Sequence, residues 1–229
     1  MKNSKLNKIL KDDEKYKSFL SQKLGITENI EFSKDILPYY IKSMAYSLGY
    51  NQIWLSYETK RIIYFIEEKE ELSELREGCR FIIQHEFGHF HEIKDKNKNV
   101  RDYFQRLLYV NNSNYKVNFF PESEATRYAI SKSTDCVEAL AGFLAISCFL
   151  YKSDIKTAIN SFSEHFSNSN IIDIEKRNLV NAKSSFKLSN GNYEKILKKT
   201  ETYLNKLNNN LARSLLYKVK DKVDKNDKN

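Results

Sequence analysis

Apolar residues recur at helical spacing along most of this chain. In residues 3–24, Leu6, Ile9, Leu10, Tyr16, Phe19 and Leu20 stand among lysines on a helical period, and Gly25 offers a stop. A second helical pattern runs from about Ser33 to Leu48, with Pro38 in its first turns and Gly49 beyond its end. The period then changes. Ile53–Tyr57 and Arg61–Ile66 are β-branched and aromatic runs separated by Glu58-Thr59-Lys60, which predicts a hairpin. Helical spacing returns from about Leu72 to Ile93, where Leu75, Cys79, Ile82, Ile83 and Phe87 mark the apolar positions.

After a polar loop at 94–99, the pattern predicts helices near 101–110, 121–132 and 136–151. Pro121 suits a first helical position, and Ser133-Thr134-Asp135 supplies an N-cap for the third. The run Val137–Tyr151 is too short to cross a bilayer and carries Glu138, so it reads as a buried helix. Its small residues Ala139, Ala141, Gly142 and Ala145 suit close packing. Residues 154–220 read as three helices, the last carrying Leu204, Leu207, Leu211, Leu215 and Val219. That stripe is not sustained for enough heptads to specify an oligomer. The expectation is a helix-rich α+β fold with one small antiparallel sheet or hairpin ahead of the helix that starts near Leu72. It divides into an N-terminal helical segment (1–30), a core (31–153), a C-terminal helical extension packed on it (154–220) and a frayed tail (221–229).

Composition narrows the class. Two prolines and six glycines in 229 residues favour long helices over a turn-rich sandwich. Fifteen Tyr and fourteen Phe supply a core and exclude wholesale disorder. The formal charge of +8 is uneven: residues 191–229 hold ten Lys/Arg and five Asp/Glu, leaving 28 against 25 elsewhere. A nearly neutral body argues against a nucleic-acid binder. Three cysteines (Cys79, Cys136, Cys148) without CxxC spacing point to a reducing interior rather than a disulfide framework. The charged amino terminus has no apolar stretch of signal-peptide type. A soluble cytoplasmic protein without membrane insertion is expected.

Three of the four histidines fall within seven residues, His85-Glu86-Phe87-Gly88-His89-Phe90-His91, and the first five spell HExxH. On a helix, positions i and i+4 differ by about 400° of rotation and one turn of rise, so both imidazoles leave one face. Together they suit a tetrahedral metal. Glu86, about 100° round from His85, is not aligned to ligate with them and is placed to take a proton from a water at the metal. Independent draws would produce this pattern in roughly half a per cent of such chains. Gly88, one residue before the second histidine, would let a neighbouring element approach the active helix closely, at a helix-propensity cost of about 1 kcal/mol.

A catalytic zinc takes three protein ligands and a water. His91 points to another side of the same helix, and His165 lies in a separate helical pattern. The better source is a carboxylate from Pro121-Glu122-Ser123-Glu124-Ala125-Thr126-Arg127-Tyr128-Ala129, which begins about 30 residues after His89 and offers Glu122 and Glu124. Two histidines and a glutamate leave a water to be activated near neutrality.

HEFGH followed by ExEAxxYA resembles the gluzincin metallopeptidases, most of all the soluble ImmA/IrrE type, which cleave repressors. It is also similar to the HtpX/CAAX-protease type, whose members are membrane proteins. The resemblance spans roughly residues 53–130 and rests on these two short motifs. It implies a zincin-like core and one Zn2+ per chain, held by His85, His89 and Glu122, with Glu124 as the rival third ligand. Ala125 and Ala129 would be close-packing residues. Where these families usually have Asn or Asp to orient a ligating histidine, this chain has Thr126, a weaker group for that task.

The implied activity is zinc-dependent endopeptidase cleavage of a protein or peptide substrate, with Glu86 as general base. The alternative is an inactive or latent zincin-fold protein that binds partners through its basic C-terminal helices. No residue stands out for stabilising an oxyanion; Tyr128, Arg127, Tyr103, Tyr109 and His165 all remain open.

Overall fold

The computed structural model describes residues 8–32, 44–49, 52–95, 119–158 and 190–226. Helix α1 (Asp13–Leu24) starts at Asp12, whose side chain accepts from the Lys15 backbone N–H. It ends at Gly25, left-handed at φ 64°, with Gly25 and Ile26 N–H groups returning to Ser21 and Leu20 carbonyls. The expected helix over 3–24 is therefore interrupted at Asp12, with helical residues 8–11 before it. Tyr16, Phe19, Leu20 and Leu24 are buried in the same core as Cys79, Ile82, Ile83 and Phe87.

Three short strands make a sheet in the order β1-β3-β2: β1 (Glu31–Phe32), β2 (Ala45–Gly49) and β3 (Gln52–Leu55). β1 runs parallel to β3, while β2 pairs antiparallel with it, Ala45 opposite Leu55 and Ser47 opposite Ile53, with a register shift before Gly49. The hairpin expected from 53–57 and 61–66 does not form. Residues 61–66 belong to helix α2 (Tyr57–Glu67), and the antiparallel partner of β3 comes from 45–49, where a helix was expected.

The reason lies in which period wins. The contiguous run Arg61–Ile66 fits a strand, but Thr59, Ile62, Ile63 and Ile66 also repeat at helical spacing, and all four are buried, together with Lys60 and Glu67. Ser56 adds the start signal, its hydroxyl accepting the Thr59 N–H at 3.0 Å. Lys60 binds this helix to α1, with Nζ 3.1 Å from Asp13 and 4.3 Å above the Phe32 ring.

A 3-10 turn (Glu70–Leu75) leads into the long helix α3 (Arg76–Asp95). Helix α4 (Phe119–Lys132) follows, with Pro121 in its first turn, and then α5 (Cys136–Tyr151). Asp135 caps α5, accepting the Val137 and Glu138 N–H groups at 2.8 and 3.0 Å. Nine of its sixteen residues are buried, which makes α5 the central helix.

The last helix, α6, runs from Asn190 to Asn226, through what the sequence presents as a tail. Ile196, Tyr203 and Leu207 are buried, and Glu138 of α5 receives both Lys199 Nζ and the Tyr203 hydroxyl. The helix expected at 101–110 and most of the two before α6 lie outside the described residues. A helix-rich α+β fold results, and no helix among the described residues is long and apolar enough to cross a membrane.

Candidate metal centre

Helix α3 carries the HExxH residues and is held by glycines at two crossings. At Gly78 an added Cβ would lie 2.3 Å from the Gly142 carbonyl carbon of α5. At Gly88 it would lie 2.5 Å from Ala125 Cα and 2.6 Å from Ala125 O of α4. All three distances are far inside van der Waals contact. The close approach expected at Gly88 is present, and its partner is the backbone of α4, where Ala125 and Ala129 are fully buried.

Between these crossings the histidine face is covered. His89 and Glu86 are buried, at 5% and 7% exposure, and His85 is half-buried. The His85 and His89 rings meet edge-on with centroids 4.9 Å apart, and Phe81 packs beside His85. Two imidazoles that each place a nitrogen 2.0–2.1 Å from one zinc at a tetrahedral angle have ring centres roughly 5 Å apart. The pair fits that ion.

Thr126 Oγ1 lies 3.2 Å from His85 Nδ1, and Thr126 is 4% exposed. With the proton on Nδ1 the ring donates to the hydroxyl, which makes Nε2 its ligating nitrogen. A water-shielded bond of this kind fixes the orientation of the ring, and the hydroxyl donates or accepts according to the tautomer. The contact joins residues 41 positions apart and depends on the Gly88–Ala125 crossing beside it.

The side chains of Glu122 and Glu124 lie outside the described residues, as do those of His91 and Arg127; Tyr103, Tyr109 and His165 lie outside altogether. Helical register still separates the two glutamates. At about 100° per residue, position 122 falls within about 20° of the mean direction of Ala125, Thr126 and Ala129, the residues packed toward α3. Position 124 falls about 145° away from it. Among the described residues no three His, Cys, Asp or Glu side chains gather into a metal-binding group. Of the cysteines, Cys79 and Cys148 are buried and Cys136 is half-buried, and none of the three is in a disulfide.

One exposed tyrosine lies outside the sequence expectations. Tyr151 closes α5 and is 48% exposed. Burial pushes the phenol above its ordinary value, with the Met44 backbone opposing the shift and the Glu86 charge adding to it. Only its place at the end of a buried helix marks it in the sequence. Tyr128, by contrast, is half-buried and packs against the main core, with Lys132 Nζ 5.3 Å from its ring centre.

A second buried polar group lies away from this centre. Glu67, its side chain fully covered, has Oε2 3.1 Å from Arg76 Nε. Burial pushes Glu67 up, against the pull of Arg76, Arg80 and Lys23.

No family model, no curated protein and no solved structure matches the chain.

Proposed function

We propose that this protein is a zinc-dependent endopeptidase acting on a protein or peptide substrate, with His85, His89 and Glu122 as metal ligands and Glu86 as general base. The observation that carries the reading is the His85–His89 pair itself. Its edge-on rings stand at the spacing a shared zinc requires, and Thr126 holds one of them at Nδ1. The likeness of the two motifs to gluzincins of the ImmA/IrrE type supports the same assignment, and a cytoplasmic setting goes with it.

When bound, zinc supplies Lewis acidity, lowering the pKa of a water toward neutrality and polarising a carbonyl. The chain's own residues do the rest. Glu86, buried beside the histidines, accepts a proton from the attacking water and returns it to the departing amine. Thr126 holds the His85 ring in orientation through Nδ1. Helical register puts position 122 on the same side of α4 as Ala125 and Thr126, which meet α3, and this supports Glu122 as the third ligand.

The binding-module reading finds less support. Lys199 and Lys206 of α6 pair with Glu138 and Glu74 of the same fold, and the helix spends Ile196, Tyr203 and Leu207 on the core.

The test is bound metal per chain by elemental mass spectrometry on wild type, Glu122→Ala and Glu124→Ala. One zinc is expected in wild type and in Glu124→Ala, with loss in Glu122→Ala. A folded, zinc-supplemented wild type without zinc refutes the centre. Glu86→Gln should keep zinc and lose peptide hydrolysis; a variant that retains most of its turnover removes Glu86 from its role.

A further inference from the structure

Four aromatic rings stand in a row from α5 to the second histidine of α3. Phe143 of α5 packs on Phe81 with ring centroids 5.0 Å apart and planes at 45°. Phe81 packs on His85 at 6.1 Å and 30°, and His85 meets His89 edge-on at 4.9 Å. Each spacing lies in the range of about 4.5–7 Å over which aromatic rings pair. Phe81, His85 and His89 stand at i, i+4 and i+8, so helical geometry puts them on one stripe. A helical side chain also leans back over the turn before it, which carries the His85 ring toward Phe81.

The phenylalanine end of the row is firmly seated. Phe81 is 1% exposed and shares its core with Ile130, Leu140 and Ile196, one each from α4, α5 and α6. Phe143 follows Gly142, whose backbone meets Gly78 of α3. A Cβ at Gly78 would lie 2.3 Å from Gly142 C and 2.5 Å from Phe143 N, so the backbone that carries Phe143 rests directly on α3. His85 itself is tied at Nδ1 by Thr126, 3.2 Å away. One hydrogen bond leaves an imidazole room to tilt, because its strength falls steeply only below about 120°. A zinc bond has less tolerance, its length being held to within about 0.2 Å. The Phe81 ring, at 30° to the imidazole, closes one direction of that tilt and brings no polar atom to compete for either ring nitrogen.

We propose that Phe81, backed by Phe143, is a positioning residue that sets the plane of the His85 ring for zinc ligation. This rests on the metal centre of the proposed endopeptidase. Phe81 is buried and acts through the ligand, not on substrate. Thr126 and Phe81 constrain His85 from different directions, one from α4 at a ring nitrogen and the other from the preceding turn of α3. Through Phe143, the crossing of α3 and α5 bears on the same ligand.

The test uses the full chain as wild type, Phe81→Leu, Phe143→Leu and Ile196→Val. The last trims the same core cluster from α6, and urea denaturation gives the stability of each protein. Zinc affinity is read by competition with a chromophoric chelator, and the visible d–d bands of the Co2+-loaded proteins report ligand geometry. Phe81→Leu should bind zinc about 10-fold more weakly and shift the Co2+ bands. Phe143→Leu should shift the bands in the same sense with a smaller loss of affinity. Ile196→Val should lose stability and keep the wild-type affinity and spectrum. A folded Phe81→Leu with wild-type affinity and spectrum overturns the inference. An equal loss in Ile196→Val also overturns it, because Phe81 would then serve the core alone. If Phe81→Leu does not fold, Phe143→Leu decides by the same two readouts. A folded wild type that binds neither zinc nor Co2+ overturns the metal centre, and this inference with it.

Discussion

Gly88→Ala adds one methyl where two helices touch backbone to backbone. Its carbon would sit 2.5 Å from Ala125 Cα, 2.6 Å from Ala125 O and 2.9 Å from Ala125 C. Carbon pairs rest at about 3.5–4.0 Å, so α3 and α4 must part by about 1 Å at this point. None of the obstructing atoms belongs to a flexible side chain that might swing away. Alanine gains about 1 kcal/mol in helix propensity over glycine, while overpacking costs about 1–3 kcal/mol. The two largely offset, and a modest net loss of stability of up to about 2 kcal/mol is expected from their difference.

The greater effect is expected at the proposed metal centre. The Thr126–His85 contact, already 3.2 Å, would open beyond hydrogen-bonding reach with the same 1 Å shift, and the Glu122 register position would retreat with it. Loss of a group that orients a ligating histidine typically lowers metal affinity 10–100-fold. The assay is competition for zinc against a chromophoric chelator, run beside urea denaturation of the same preparation. A Gly88→Ala protein that is about 1 kcal/mol more stable and holds zinc as tightly as wild type would refute the close crossing, because only the propensity gain would then remain.

Two other changes probe separate parts of the argument. Thr126→Ala should weaken zinc binding about 10-fold with little change in fold, and Thr126→Asn should restore it; equal affinity in all three proteins denies Thr126 a part in orienting His85. Glu67, raised above 4.5 first by burial, binds its proton more tightly folded than unfolded. Its contribution to stability is therefore fully present below about pH 4.5 and is lost as pH rises through the folded value. Glu67→Gln removes that dependence, so wild type measured against the Gln variant should lose relative stability from about pH 4 to pH 7 in urea denaturation. A difference that does not vary with pH contradicts this account of Glu67.

Local signals determined much of this protein before any tertiary contact. His85, Glu86 and His89 share a helix because the apolar spacing around them is helical, and α3 covers them all. Asp135 begins α5 and Gly25 ends α1 where side-chain chemistry and left-handed geometry respectively require it. These features depend on residues within a turn of one another, and that range is legible in a linear sequence. Gly88 announced a close contact by its missing side chain, though not the identity of the partner.

Other features were decided by packing. Arg61–Ile66 carries both a strand-like run and a helix-like repeat. Burial of Thr59, Ile62, Ile63 and Ile66 on one face chose the helix, and β3 took its antiparallel partner from 45–49 instead. The approach of Thr126 to His85 joins residues distant in the chain, on helices whose crossing is set by a glycine and an alanine backbone. Helical periodicity tells which face a residue occupies but not which helix will meet that face. Only the folded packing of α3 against α4 brought these two groups together.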